Sequence, residues 1–283
     1  MTTSATKLVA LLGRPVAHSV SPQIHSAAFD AAGLDLVYLA FDVLPEALEQ
    51  TLAGLWAMGA LGANVTVPHK RAVMEMVDAI TREADLVGAA NTLMRDGDLL
   101  VADNTDALAL EEVFADLGVG SGDPVLVFGA GGAARAAAVA LGRRAASVEV
   151  VARRPEAAAE VADVVRAAGG DARAGLADLA DLAVFDDLDR PKAVVNATPL
   201  GLHGEALPER YMRLHPRQIA LDLVYRPEPT PFLRAATLAG ARAQDGLGML
   251  IIQAALAFER WTGQPAPRGA MAQAASRALD RIG

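Results

Sequence analysis

The sequence predicts an α/β fold of two domains with parallel sheets, and three observations carry that prediction. The chain has 283 residues, and at about 150 residues per domain two domains are expected. Apolar strand patterns alternate with helical ones nearly throughout, the signature of helices packed on parallel strands. The alternation also restarts after "GVGSGDP" at 118–124, the clearest linker by composition.

The elements follow in order. "KLVALLG" is an apolar run of strand length, and Ser21-Pro22 reads as an N-cap and first helical residue of a helix to about Ala32. "LVYLAFDV" is the second strand, and Pro45 opens a helix to about Met58. "ALGANVTV" is the third strand, so Asn64 and Thr66 alternate with Val65 and Val67 and share a face. After Pro68 a helix is expected with Lys70 at its start, where the helix dipole disfavours a cation by roughly 0.3–1 kcal/mol. "NTLMRDGDLLVADN" is a hairpin turning at Asp96-Gly97, followed by a helix from about Thr105 to Leu117. Beyond the linker come strand "VLVFGA", a glycine-rich turn, a helix to about Gly142, strand "SVEVVA" and a helix over 155–168. "AVVNA" and "IALDLVY" are further strands, with a helix near 230–239. In "GLGMLIIQAALAFERWTG", Leu247, Leu250, Ile251, Ala254, Phe258 and Trp261 share one helical face, and a last helix covers about 268–281.

Composition narrows the function. No apolar run reaches the roughly 18 residues that span a bilayer, and the start of the chain is too short in apolar residues for a signal peptide. With no cysteine, disulfides and thiolate chemistry are excluded. The expected location is the cytoplasm. The net charge of −9 argues against nucleic acid or an anionic membrane as partner. A small-molecule substrate remains, and the sequence leaves a homodimer open.

Two groups of residues carry chemistry. In "VLVFGAGGAARA", Gly129, Gly131 and Gly132 lie between a strand and a helix, where glycines let a pyrophosphate approach the helix N-terminus. An ordinary tight turn is the alternative. The next strand ends in Arg153 and Arg154, where an NAD site usually has an acid. Guanidiniums there favour the 2′-phosphate of NADP, unless they are simply solvated. In the N-terminal half, Ser19 and Ser21 follow the first strand and suit a carboxylate, although from position alone Ser21 is more simply an N-cap. Asn64, Thr66, Lys70, Asn91 and the run Asn104-Thr105-Asp106 supply further polar side chains, the last run also reading as a plain helix cap. His18 and His25 lack neighbours for a metal set, and His25 reads as a helix-face or core histidine.

These motifs, "GRPVAHSVSP", "GANVTVPHK", "GAANT", "NTD", "GAGGAARA", "NATPLG", "DLVYRPEPTP" and "GLGMLIIQAALAFERWTG", stand in the order found in the shikimate dehydrogenase family, which the chain resembles over nearly its whole length. The resemblance implies an N-terminal α/β catalytic domain completed by C-terminal helices (1–105 and 245–283) and a Rossmann-type NADP-binding domain (106–244), with a cleft between them. It implies reversible, NADPH-dependent reduction of 3-dehydroshikimate to shikimate, a step of aromatic amino-acid biosynthesis. Lys70 then matches the catalytic lysine and Asp106 its partner. Ser19 and Ser21 match the carboxylate pair, Asn64, Asn91, Asp106 and Gln253 the residues on the ring hydroxyls, and Thr66 and Tyr225 further substrate positions. Gly129, Ala130, Gly131, Gly132, Ala133, Arg153, Asn196, Thr198 and Gly246 match cofactor positions, and Arg154 joins them by its charge.

The sequence departs from the family pattern at Ser26, Ala109, Ala152 and Arg154, the first two read as packing changes near the substrate. Two alternatives stay open. One is a relative that prefers or accepts quinate, or NAD. The other is a non-catalytic sensor on the same fold, disfavoured because the lysine and aspartate are both present.

Overall fold

The computed structural model describes residues 2–176 and 191–281, and the chain forms two units, Met1–Thr105 with Leu250–Gly283, and Asp106–Met249. The first unit is built on β1 (Lys7–Gly13), α1 (Ser21–Ala31), β2 (Leu36–Asp42), α2 (Leu48–Ala57), β3 (Gly62–Val65), β4 (Ala79–Ile80), α3 (Arg82–Val87), β5 (Thr92–Asp96) and β6 (Leu99–Asp103). Its sheet runs β2-β1-β3-β5-β6-β4. β1 pairs parallel with both β2 and β3, whereas the β5–β6 hairpin runs antiparallel to β3. The period of two divides each strand between two faces. Ala10, Leu12, Ala63 and Val65 join Leu48, Leu52 and Leu55 of α2 in one core. Tyr38 carries the other face, where it meets His25 of α1 and Trp261 from the C-terminal helices.

The second unit holds α4 (Thr105–Asp116, from its second residue on), β7 (Pro124–Phe128), α5 (Gly132–Arg143), β8 (Ser147–Ala152), α6 (Pro155–Ala167), β9 (Asp171–Leu176), β10 (Ala193–Asn196), β11 (Ile219–Asp222), α7 (Pro231–Leu238) and β12 (Arg242–Gln244). Its sheet runs β12-β11-β10-β7-β8-β9 with every pair parallel. Counted from β7, that is the order 3-2-1-4-5-6 read from the other edge, with the switch point between β7 and β10. α8 (Leu247–Thr262) leads the chain back, and α9 (Arg268–Leu279) packs on α1.

Several expectations need correction. Residues 118–123, the linker by composition, lie inside the second unit, where they join α4 to β7. The hairpin loop is Gly97-Asp98, since Asp96 still pairs with Leu99; Gly97, at φ 61°, takes the left-handed backbone. β3 stops at Val65, so Thr66 lies beyond the strand and its amide bonds to the Leu12 carbonyl. Lys70 begins no α-helix. It sits in a turn ahead of a five-residue 3₁₀ segment, Ala72–Met76, so no macrodipole opposes its charge. Ser21 is not an N-cap either: Val20 holds that position and no side chain caps the helix.

Candidate active site

In the first unit the strand register gathers the polar residues at one sheet end. Leu12 aligns with Val65, Asn64 with Thr92, and Thr92 with Asp103. The segments leaving β1 and β3, entering β5 and leaving β6 therefore converge beside the β1–β3 switch point, where open α/β sheets place their sites. Asn64, Asn91 and Gln253, expected on the ring hydroxyls, form one buried hydrogen-bonded cluster. Asn64 Nδ2 donates to the Asn91 carbonyl (3.1 Å) and to Thr92 Oγ1 (3.2 Å). Asn91 Nδ2 donates to Thr105 Oγ1 (2.9 Å) and to Gln253 Oε1 (3.2 Å), while its Oδ1 accepts from the Thr105 amide at 2.8 Å. Asn91 thus binds the first amide of α4 from the adjacent strand end; Asn104 instead donates from its side chain to the Ala89 carbonyl at 2.7 Å. Asp106, 4 % exposed, follows Thr105 in the first turn of α4.

The loop bearing Lys70 is anchored by a residue that spacing did not single out. His69 is buried, and its Nε2 lies 2.8 Å from the Val43 carbonyl. A carbonyl only accepts, so Nε2 carries the proton. The Lys70 carbonyl in turn accepts from the Ala90 amide at 2.7 Å, tying this loop to the segment that delivers Asn91. Ser19 Oγ accepts from the Ser21 amide at 3.2 Å, so the two serines sit in one turn at the start of α1. Ser26 is exposed on α1 while its neighbour His25 is buried, and Ala109 is fully buried within α4.

In the second unit the glycine turn lies at the β7–β10 switch point. Gly129 has φ 125°, and a Cβ there would stand 2.8 Å from the Ala197 carbonyl oxygen, so only glycine brings the two loops so close. Gly131 is the residue before α5 and no side chain caps that helix; a Cβ at Gly131 would meet nothing within 4 Å. Backbone amides with an open approach are what a pyrophosphate requires. Arg153 and Arg154 are exposed at the end of β8.

Asn196, expected on the cofactor, has a 0 % exposed side chain whose bonds are internal. Its Nδ2 donates to the Leu200 carbonyl and to Asp222 Oδ1 (both 2.9 Å), and its Oδ1 accepts from the Thr198 amide (3.0 Å) and hydroxyl (2.7 Å). It shapes the 196–200 loop and leaves no donor for a ligand. Asp222, also fully buried, accepts from Thr230 Oγ1 at 2.6 Å and the Val224 amide at 3.0 Å. Burial raises its pKa, the Thr230, Val224 and Asn196 bonds oppose that rise, and the charge of Asp245 adds to it. Tyr225 is half-buried three residues past the end of β11. Gly246 lies so close to the Leu223 backbone that a Cβ would clash, so its small size already has a packing role.

Sequence reasoning missed Tyr38, His69 and Thr92, and read Thr105 only as part of a cap. An apolar strand context hides Tyr38, and Thr92 matters through a partner 28 residues away. Among the described residues, no group of three or more metal-ligating side chains occurs, and no helix is long and apolar enough to cross a membrane.

A parallel sheet of order 3-2-1-4-5-6 with a glycine turn at its switch point is Rossmann-type construction, and with the first α/β unit and its buried polar cluster it fits a two-domain dinucleotide-dependent oxidoreductase. Comparison with known proteins narrows the class. Residues 11–93 match the shikimate dehydrogenase substrate binding domain, and residues 246–275 the shikimate 5'-dehydrogenase C-terminal domain. A shikimate dehydrogenase (NADP(+)) of Anaeromyxobacter sp. (strain K) is 44 % identical over 97 % of both chains. Shikimate 5-dehydrogenase of Thermus thermophilus, solved with NADP(H) and shikimate, superposes with TM-score 0.82 at 37 % identity, covering 96 % of this chain and 100 % of that one. A 5-ketofructose reductase of Gluconobacter sp. strain CHM43 reaches the same TM-score at 30 % identity, over 99 % of this chain and 100 % of that one. The chain belongs to the shikimate dehydrogenase family.

Proposed function

We propose that the chain catalyses reversible reduction of 3-dehydroshikimate to shikimate with NADPH, in the cytoplasmic synthesis of aromatic amino acids. The observation that carries this reading is the Asn64–Asn91–Gln253 cluster at the β1–β3 switch point. The side-chain N–H groups of Asn64 and Asn91 are used within the cluster, so Asn64 Oδ1 is the atom that suits a ring hydroxyl, as acceptor, and Ser19 and Ser21, in one turn at a helix start, suit the carboxylate. NADP fits the second unit: Gly129–Ala133 would hold the pyrophosphate, Arg153 and Arg154 the 2′-phosphate, with Thr198 on a loop that Asn196 shapes. NADPH held there would supply the hydride for the carbonyl carbon.

As the C=O π bond opens, negative charge grows on the oxygen. Lys70, an ammonium with three donors, is proposed to stabilise that charge and give the oxygen its proton, leaving CH–OH. Asp106 is proposed as its partner. In the oxidative direction the same lysine takes the hydroxyl proton. Thr66 and Tyr225 are assigned to the substrate, and Gly246 to the cofactor side.

The test is initial rates with shikimate and quinate, each with NADP and NAD, and reduction of 5-ketofructose with NADPH. A large preference for shikimate with NADP is expected. Lys70→Ala should lower kcat about 10²–10⁴-fold and leave the KM for NADP within a few-fold. Preference for quinate, NAD or 5-ketofructose would overturn the specificity, and near-normal turnover by Lys70→Ala would overturn the lysine's role. NADP binding without turnover on any substrate would favour a sensor.

A further inference from the structure

Tyr38 stands on β2, two strands from Asn64, with β1 between them. At about 4.8 Å per strand the gap is roughly 10 Å, and its ring crosses β1 so that its hydroxyl donates to Asn64 Oδ1 at 2.7 Å. Tyr38 is 3 % exposed and Asn64 6 %. The direction of the bond is fixed chemically. The Asn91 carbonyl can only accept, so the Asn64 atom facing it is Nδ2, and the atom facing Tyr38 is the oxygen. Both N–H groups of Asn64 are taken, by the Asn91 carbonyl and Thr92 Oγ1. A ring hydroxyl can therefore only donate to Asn64 Oδ1, the atom that Tyr38 holds.

The ring that brings this hydroxyl across the sheet is itself held. His25 stacks on Tyr38 with centroids 4.4 Å apart and planes 9° from parallel, and Trp261 meets it at 6.4 Å and 47°. Neither His25 ring nitrogen has a hydrogen-bond partner among the described residues. Its flat face, rather than a polar contact, is what it contributes to Tyr38.

We infer that Tyr38 is a positioning residue for substrate binding, acting through Asn64: it fixes the amide oxygen that accepts a ring hydroxyl of the substrate. The inference rests on the proposed assignment of Asn64 to the substrate. Tyr38→Phe removes one oxygen and keeps the ring that His25 stacks on, so the fold should survive, and KM is independent of the fraction of active enzyme.

The test is a double-mutant cycle on the KM for shikimate, with Tyr38→Phe, Asn64→Ala and the double variant, and the KM for NADP measured alongside. Tyr38→Phe is expected to raise the KM for shikimate about three- to tenfold, the scale of one neutral hydrogen bond, with the KM for NADP unchanged. In the Asn64→Ala background the same change should have no further effect. An undiminished effect in that background would show that Tyr38 acts by another route and would overturn the inference. A normal KM for Tyr38→Phe beside a raised one for Asn64→Ala would also overturn it while leaving the assignment of Asn64 standing. A normal KM for Asn64→Ala would remove Asn64 from the substrate site, and the inference with it.

Discussion

His25 shows how one residue's surroundings become a measurable property. It is 0 % exposed and packed against Tyr38, Phe29 and Trp261. Burial lowers its pKa from 6.5 to about 3, with the Asn64 side chain opposing that shift. The folded state keeps the ring neutral, whereas the unfolded chain protonates it below pH 6.5. The unfolded state therefore binds the extra proton, and stability falls as pH drops from about 6.5 toward 3. Each pH unit within that window costs about 1.4 kcal/mol, so pH 5 should remove about 2 kcal/mol through this residue. Urea titrations at pH 7 and pH 5, for the wild type and for His25→Phe, would measure it. The variant should lose distinctly less stability between the two values. Equal losses would mean that the ring does not stay neutral in the fold.

Among the elements, β3 shows why a residue that weakens a strand is placed there. Gly62 has no side chain, and a Cβ would collide with the Trp261 indole and stand 2.7 Å from the Leu93 carbonyl oxygen. That carbonyl accepts from Trp261 Nε1 at 2.9 Å, so the glycine is the space through which α8 docks on the β3–β5 pair. Gly62→Ala should destabilise by roughly 1–3 kcal/mol through overpacking, read as a lower urea midpoint. Gly54→Ala is the control: it lies in α2 with nothing within 4 Å of its Cβ position, and should be neutral or stabilising. Equal midpoints for the two variants would show that α8 does not depend on this close approach. The same physics explains what was legible. β1, β7 and β8 are apolar runs flanked by turn residues, and their pattern suffices. β4 has two residues and β12 three, too few for any period, while β9 reads DARAGL, without the β-branched residues that mark strands. The turn at Lys70 was misread because a proline followed by charged residues resembles a helix start, and only the 3₁₀ geometry of 72–76 shows otherwise. In the candidate site the residue types were legible. Their partners were not, since Asn91–Gln253 spans 162 residues and Tyr38–Asn64 depends on which strands are neighbours.

For the whole molecule the decisive feature is that one unit is continuous in sequence and the other is not. All six strands of the second sheet, with α5, α6 and α7, come from 106–249, and Leu126, Phe128, Val194, Phe232 and Leu233 form a core there. The first unit instead needs 250–283. Phe258 stacks on Phe29 at 5.9 Å, Gln253 accepts from Asn91, and Trp261 fills the space above Gly62. Arg260 Nε donates at 2.9 Å to Asp103, a carboxylate only 1 % exposed. Without those residues the part of the first sheet's face beneath Trp261 and the Phe29 side of α1 lie in water, and Asp103 loses its cation; both changes disfavour the folded state. A fragment of residues 106–249 is therefore expected to unfold cooperatively and to melt at a higher temperature with NADP than without, because a ligand that binds only the folded state stabilises it. A fragment of residues 1–105 should show no cooperative transition, and joining 250–283 to it through a flexible linker should restore one. A sharp melt of 1–105 alone would show that the C-terminal helices are an addition to an independent domain rather than part of its core. Failure of 106–249 to respond to NADP, while the full chain responds, would show that the dinucleotide needs residues outside the second unit.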